Sequence, residues 1–579
     1  MISGRLPALL AAFLLAAPPA AAQETVPLGN LRLSAVADAY FAEKWRTDPI
    51  AATAAGVHDY DGRLGSFSAE GYAERIALAR STLADLAAID PATMGADASY
   101  DEQIFASRLQ TTLLTLGTLE TWKHRPGLYS DAASSGVLAL LERDFAPLAV
   151  RVRAIVARER QIPGMLDEAD ANITSVDPAT ASIARRDIAG AIDFFTTIVP
   201  EGIAPLKDRA LQADFAAANA AVVDALHGYL SGLESGPFAH PGGTFAIGSA
   251  HFEELLRAQE LVPISLAQYE RLGENALAGT KAEFVATARQ IDPAKSPADV
   301  ARALQMHHPA AGDLLAKAAS DLAGLRAFVV SHHILTLPPD DDVAVVPAPE
   351  FERSTTFASM SAPGPLEHYA TQAFYYVTPV DPAWTPERAE QHLGFYNDYA
   401  FPLVSAHEVM PGHYVNFALD RHEKLSPIRR LMASTTFAEG WAHYAEQMMV
   451  DEGYGGGDPR VRLAQLQLAL QRECRYLVGL REHTQNMSVE KAAAFFQENA
   501  FMAAEPAERE ALRGTADPLY GYYTLGKLEI LKLRADYRRS TGSHYTLQAF
   551  HDALLAHGDP PIAIARKLVL GADDDGKLL

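Results

Sequence analysis

Cysteine is almost absent from this sequence. The 579 residues include one, Cys474, so no disulfide bond can form within the chain. The folded protein must therefore be held together by packing alone. Cys474 lies in a leucine-rich helical segment, and this context favours a packed thiol over a reactive nucleophile.

Positive charge is also scarce. The 49 Lys and Arg residues are outnumbered by 72 Asp and Glu residues, which gives a net charge of −23. Proteins that bind nucleic acids or anionic membranes need a basic surface that displaces counterions. The charge balance therefore predicts that neither is a partner of this chain.

The apolar run at the N-terminus is too short to cross a bilayer comfortably. It extends from Leu6 to Ala17, follows Arg5, and precedes three consecutive alanines that end at Ala22. This order is typical of a secretory signal peptide that is cleaved after Ala22, although a membrane anchor is the alternative. We expect a periplasmic or secreted protein with no membrane insertion after signal cleavage.

Motifs of several hydrolase classes are missing as well. The sequence has no Gly-x-Ser-x-Gly nucleophile elbow, no phosphate-binding glycine loop and no cluster of cysteines. Hydrolytic chemistry based on a serine nucleophile, a bound nucleotide or a cysteine-bound metal therefore has no support.

Strand-like alternation is scarce, whereas apolar residues often recur three and four positions apart, as in Ile76, Ala79 and Leu83. Gly and Pro mark the ends of these segments. The pattern predicts a mainly α protein of irregular helices. At most a small β-sheet is expected, between Ser354 and Thr378, where aromatic residues cluster.

The composition changes at residues 336–350, where Pro clusters and three Asp residues predict an extended connector. Four parts follow from this boundary: a signal peptide at 1–22, a helical scaffold half at 23–335, the connector at 336–350, and a catalytic helical half at 351–579. The two halves are expected to form one compact domain with a deep cleft.

The chemistry centres on the stretch from Ser405 to Tyr414. In a His-Glu-x-x-His zinc site, the two histidines lie one helical turn apart and the Glu activates a water. Here the fourth residue after His407 is Pro411, and the next histidine is His413. A straight helix would turn His413 away, but the Pro-Gly pair that precedes it interrupts helices and can return His413 to the metal.

A second helical stretch, Thr436 to Glu446, supplies acidic residues at a compatible distance along the chain. Glu439 lies where a third zinc ligand is expected. His443 follows one turn later on the same face, either as an alternative ligand or, with Glu446, as a group that orients a ligand. The alternative to metal binding is that each of these residues is an ordinary histidine or acid on the surface of a helix.

These motifs, His-Glu-x-x-Pro-Gly-His followed by Glu-Gly-Trp-Ala, resemble the bacterial family called domain of unknown function 885. Its members are regarded as zinc peptidases distantly similar to angiotensin-converting enzyme. The likeness includes WRTDPIAATAAG and Tyr-Thr-Leu-Gly, and it covers nearly all of the mature chain. It implies a large irregular helical metallopeptidase-like fold with a deep central cleft. It further implies Zn²⁺ ligation by His407, His413 and Glu439, with Glu408 as general base.

The resemblance also suggests how the remaining groups act. Tyr523 and His483 are expected to stabilise the oxyanion, as Tyr and His do in similar helical peptidases, with Tyr522 as a rival of Tyr523. Independently of the resemblance, Arg475 or Arg481 is a candidate for binding a substrate carboxylate, which would favour carboxypeptidase or dipeptidase action; the alternative is that they pair with Glu473 or Glu482.

Two departures from the family pattern concern the pocket wall. Tyr414 replaces a second His after Pro-Gly-His, and Gly479 replaces an Asp four residues after the family's Arg. His413 is unaffected by the first change. Because the second change alters the charge of the wall, the family's substrate preference cannot be transferred.

The leading hypothesis is an exported zinc metallopeptidase that hydrolyses short peptides. The alternatives are a zinc-dependent amidase or esterase that acts on a small non-peptide substrate, and a catalytically inactive helical binding protein. Glu408 discriminates between them, because a binding protein needs no base beside a metal ligand. No oligomeric state follows from the sequence.

Overall fold

The computed structural model describes residues 26–235, 242–339, 343–349, 353 and 357–579. The predicted signal peptide at 1–22 lies outside these residues. Within these residues, fourteen α-helices precede the sheet: α1 Leu28–Thr47, α2 Pro49–Ala55, α3 Ala69–Ala87, α4 Ala96–Thr112, α5 Gly127–Leu141, α6 Leu148–Glu159, α7 Ile162–Asn172, α8 Pro178–Asp193, α9 Val199–Ile203, α10 Arg209–Ser235, α11 Gly248–Glu260, α12 Leu266–Ile291, α13 Pro297–Leu304 and α14 Leu314–Ser331.

A three-stranded sheet follows, with β1 at Val343–Pro347, β2 at Ala358–Ser361 and β3 at Ala373–Val377. The central strand β3 pairs in parallel with β1 and antiparallel with β2. β1 lies within the stretch predicted as an extended connector, so that stretch contributes a paired strand to the fold.

The chain then returns to helices: α15 Pro386–Phe395, α16 Phe401–Glu408, α17 His413–His422, α18 Pro427–Leu431, α19 Thr435–Asp451, α20 Pro459–Thr484, α21 Val489–Ala500, α22 Ala504–Ala516, α23 Tyr522–Thr541, α24 Leu547–Leu555 and α25 Ile562–Leu570. The prediction of a mainly α fold with a small sheet is confirmed. Among the described helices, none combines the length and the apolar character needed to cross a membrane.

Polar residues fix where the helices begin. At the start of α8, the Asp177 carboxylate accepts hydrogen bonds from the backbone N–H groups of two following residues. Ser265 caps α12 in the same way, and Gln268 completes a capping box with it. Such caps satisfy amide groups that the first turn leaves without partners.

Helices that precede the sheet in the sequence and helices that follow it pack into a common apolar core. α12 packs along α20, where the Tyr269 and Tyr476 rings stack with centroids 4.0 Å apart. Gly273 permits this approach, since a Cβ atom there would lie 2.4 Å from the Tyr476 ring. The α12–α20 contact thus supports α20, whose other residues reach the functional site described below.

We expect Gly273→Ala to destabilise the protein by about 1–3 kcal/mol, because the added methyl overpacks the α12–α20 contact. Gly279→Ala is the matched control in the same helix, where a Cβ atom would meet nothing within 4 Å. The control should stabilise the fold by up to about 1 kcal/mol, since Ala favours helix more than Gly. Thermal unfolding measures both, and equal melting temperatures for the two variants would contradict the packing argument.

Candidate metal centre

The helix interruption expected at Pro411 and Gly412 is present. α16 ends at Glu408 and α17 begins at His413, and the Met410–Pro411 peptide bond is cis. Gly412 presses against the end of α16, because a Cβ atom on it would lie 1.8 Å from the His407 carbonyl oxygen. No larger residue fits this reversal without moving the backbone.

The reversal returns His413 to His407. The two imidazole rings lie at right angles with centroids 4.8 Å apart. α19 holds the turn in place, since the Trp441 indole N–H donates a hydrogen bond to the Pro411 carbonyl oxygen at 3.0 Å. Because Trp441 follows Glu439 by two residues, the same helix fixes both the turn and the third member of the group.

Glu439 completes a convergent set of donors with the two histidines. Its Oε2 lies 3.4 Å from Nε2 of His407 and 3.4 Å from Nε2 of His413. One ligand atom from each of the three side chains lies within 4.8 Å of the others, and the described residues contain no second such group of His, Cys, Asp and Glu. Two imidazoles and one carboxylate are a donor set that suits Zn²⁺.

Unpaired buried atoms support this assignment. Oε2 of Glu439 and Nδ1 of His413 are both buried and make no directed hydrogen bond within the described residues. Burial would raise the pKa of Glu439, but the charges of His413 and His407 outweigh it and hold that pKa well below its usual range. A cation between these groups would satisfy the carboxylate while the imidazoles remain neutral ligands.

Glu446 orients His407. The Nδ1–H group of His407 donates to Glu446 Oε1 at 2.7 Å, which leaves Nε2 to face Glu439. Arg472 contacts the same carboxylate oxygen at 2.9 Å, and the side chain of Glu446 is fully buried. A carboxylate that fixes the tautomer of a histidine ligand is the usual support of a zinc site.

His443 contacts Glu446 and is not one of the three convergent donors. Its Nδ1 is 3.4 Å from Glu446 Oε2. Burial and the nearby Lys527 charge hold the pKa of His443 well below its usual range, so this imidazole is neutral. Since His413 already faces Glu439, the convergent set is complete without His443 as an alternative ligand.

Glu408 stands beside the convergent donors as the last residue of α16. Its side chain is partly exposed and forms no hydrogen bond or ion pair with any described residue. Burial raises the pKa of Glu408, while the charges of His407 and His413 oppose the rise. An unpaired carboxyl with a raised pKa, next to a metal site, can accept and return a proton.

Tyr523 reaches the same site from α23. Its ring centroid lies 6.4 Å from that of His407. Two glycines make this possible: a Cβ atom on Gly526 would lie 2.1 Å from the Thr436 carbonyl oxygen, and one on Gly440 would lie 2.5 Å from Gly526. This close crossing of α19 and α23 explains why a Gly follows the tyrosine by three residues.

Three other residues that the sequence indicated for the site are bound to other groups of the protein. His483 donates from Nε2 to the Gly514 carbonyl oxygen at 2.9 Å, and burial lowers its pKa to about 4. Arg475 forms two hydrogen bonds of 2.7 Å with Glu510. Arg481 pairs with two glutamates of α12 at 2.8 and 2.6 Å. A substrate carboxylate would have to displace these acids from either arginine.

The chain also matches a known sequence family, whose pattern covers residues 49–569 and is described as a bacterial protein of unknown function. The chain belongs to the DUF885 family. The resemblance expected from the sequence is therefore confirmed at the level of the family. No curated protein matches the chain.

Two solved structures share the fold of this DUF885 protein. One, from Shewanella oneidensis, is described as a "putative lipoprotein of unknown function"; it is 24% identical with a TM-score of 0.79, and the match covers 93% of this chain and 99% of that one. The other, described as a "putative lipoprotein" from Colwellia psychrerythraea, is 18% identical with a TM-score of 0.74 and covers 95% and 100%. At these identities the likeness shows the fold alone.

Two cavities in the DUF885 protein lie away from the convergent donors. One, of about 280 Å³, is lined by residues that include Tyr40 and Arg75, and the other, of about 250 Å³, by residues that include Glu142 and Tyr376. Large cavities are common binding sites. Neither cavity is lined by the three convergent side chains, so donor chemistry rather than volume marks the candidate site.

Arg472 is the site residue that sequence reasoning missed. It lies one helical turn before Arg475 on α20, so both guanidinium groups face the same way. Its carbon Cζ is 5.6 Å from the Tyr523 ring centre while its Nη2 pairs with Glu446. The available signal was this three-residue spacing of two arginines in a segment otherwise rich in leucine.

We expect Glu446→Gln to weaken zinc binding by about 10- to 100-fold, because the amide supports the His407 N–H less strongly than a carboxylate. Glu452→Gln is the control: Glu452 directly follows the same helix and pairs with Arg534 instead. Competition with a zinc-sensitive dye measures both affinities. Unchanged zinc affinity in Glu446→Gln would refute the orienting role of Glu446.

Proposed function

We propose that this DUF885 protein is an exported zinc metallopeptidase that hydrolyses short peptides. The convergence of His407, His413 and Glu439, with the unpaired Glu408 beside them, carries the proposal. Three protein ligands leave one coordination position for water or substrate, which is the arrangement of catalytic rather than structural zinc sites.

A zinc ion held by His407, His413 and Glu439 would polarise the scissile carbonyl and make water acidic enough to attack at neutral pH. The residues present fit such an ion, because Glu439 Oε2 is buried and otherwise without a directed partner. Glu446 and Arg472 keep His407 in the tautomer that a metal requires.

Glu408 serves as the proton shuttle in this proposal. It takes a proton from the attacking water as the new carbon–oxygen bond forms, and it returns that proton to the amine nitrogen as the carbon–nitrogen bond breaks. Its partial exposure and the absence of a described partner leave the carboxylate able to accept that hydrogen bond.

Tyr523 is better suited than Tyr522 to stabilise the oxyanion. Arg513 Nη2 lies 3.4 Å from both phenol oxygens, and a guanidinium only donates, so each hydroxyl proton must point elsewhere. Tyr522 interacts with Asp517 and opposes the rise that burial causes in the pKa of that carboxyl. Among the described residues the proton of Tyr523 has no such acceptor, so it can reach a substrate oxygen.

The extracytoplasmic location rests on the N-terminal signal pattern and on the two structural neighbours described as lipoproteins. Lipid attachment does not carry over to this chain. Its single cysteine, Cys474, is buried in α20, far along the sequence from the predicted cleavage site.

Glu408→Gln is expected to bind zinc as the unchanged protein does and to lower kcat on a cleaved peptide by about 100- to 10,000-fold, because it removes general base catalysis. A library of short peptides with mass-spectrometric detection identifies the substrate, and non-peptide esters and amides tested in parallel address the alternative hydrolase.

Glu423→Gln is the matched control, because Glu423 is also partly exposed and lies at the other end of α17. It should cleave normally. Full peptidase activity in Glu408→Gln would contradict the assigned mechanism.

A further inference from the structure

Three arginines surround Tyr523. The guanidinium carbons of Arg472 and Arg475 lie 5.6 and 5.0 Å from the centre of the Tyr523 ring. Arg513 approaches the other end of the same side chain, with Nη2 at 3.4 Å from the phenol oxygen. Three positive charges therefore border the ring that packs beside His407.

Two of these charges are neutralised within the protein. Arg472 pairs with Glu446 at 2.9 Å, and Arg475 pairs with Glu510 through two bonds of 2.7 Å. Arg513 has no carboxylate within 4 Å among the described residues.

Within the part of the chain that the structure describes, the polar and ring contacts of Arg513 are all to neutral groups. They are the hydroxyl oxygens of Tyr522 and Tyr523, each at 3.4 Å, and the face of the Tyr520 ring at 5.0 Å. Two acids lie near enough to interact with its charge, but each has other partners. Glu510 is bound by Arg475 and Tyr520, and Asp517 interacts with Tyr522.

Arg513 is also accessible to a ligand. The side chain packs among three tyrosines, yet it belongs to the exposed residues of the protein. A solvent-accessible cation without an acidic partner among the described residues is a ready site for an anionic group of a ligand.

The position of Arg513 relative to the metal centre limits which anion it meets. One phenol ring separates it from His407, and the Tyr523 and His407 ring centres are 6.4 Å apart. An extended peptide advances about 3.5 Å per residue. A peptide cleaved at the metal centre would therefore bring a carboxylate to Arg513 one or two residues beyond the scissile bond.

We propose that Arg513 binds the free C-terminal carboxylate of the substrate, so that the enzyme removes one or two residues from that end. This inference rests on the proposed zinc peptidase function. A guanidinium fork matches a carboxylate with two parallel hydrogen bonds. In this proposal the role suggested for Arg475 or Arg481 passes to Arg513, which has no acidic partner among the described residues.

The test compares one peptide in two forms, with a free C-terminal carboxylate and with a C-terminal amide. The unchanged protein should cleave the free acid with a kcat/KM about 100-fold higher. Arg513→Gln should lower kcat/KM about 100-fold more for the free acid than for the amide, mainly through KM, because loss of the Arg513 contact with Tyr523 affects both forms equally. Arg513→Lys should retain part of the preference because it keeps the charge.

Binding provides a second readout. In a Glu408→Gln background, calorimetry should show that Arg513→Gln weakens binding of the free acid and leaves the weaker binding of the amide unchanged. Arg509→Gln is the control, because Arg509 lies one turn earlier on α22, is exposed and pairs with Glu505. It should alter neither cleavage nor binding.

The outcomes separate this inference from the function on which it rests. Equal cleavage of both peptide forms by the unchanged protein, or an equal loss for both forms in Arg513→Gln, would overturn the role of Arg513 and leave the peptidase standing. Failure of the unchanged protein to bind zinc or to cleave either form would overturn the peptidase itself.

Discussion

The site depends on one reversal of the backbone, at which the chain leaves α16 and enters α17. Gly412 can lie against the His407 carbonyl oxygen because it has no Cβ atom, and this contact places His413 opposite His407. A straight helix would separate the two rings. The geometry that a His-Glu-x-x-His sequence obtains from one helical turn is obtained here from a turn between two helices.

Close contacts elsewhere serve the same arrangement. The glycine crossing of α19 and α23 brings Glu439 and Tyr523 to one place, and α20 supplies Arg472 behind Glu446. Gly273 on α12 allows α20 to pack closely, because the Tyr476 ring lies against it. Residues of both halves of the chain therefore help to position a few polar side chains. This explains why a small site depends on a large helical framework.

Periodicity was sufficient to predict the mainly α fold, because most apolar residues recur with a helical period. The Pro-Gly interruption was also readable from the sequence, since both residues have strong local effects. β1 was not expected as a strand, because its partner β3 is distant in sequence and pairing depends on tertiary structure.

The partners of charged side chains could not be predicted from the sequence in the same way. Arg475 and Arg513 look alike in sequence, yet Glu510 occupies the first and no described acid occupies the second. His483 falls in the segment that the family resemblance indicated, but its ring bonds to the Gly514 carbonyl oxygen. Such differences arise from long-range packing, which a local pattern does not encode.

The metal content of the purified mature protein tests the central claim most directly. Elemental analysis should find about one zinc per chain, and the metal should be lost from His413→Ala and from Glu439→Ala but kept in His332→Ala, which changes an exposed histidine. Absence of tightly bound metal after zinc is supplied, or equal zinc content in all of these variants, would contradict the account.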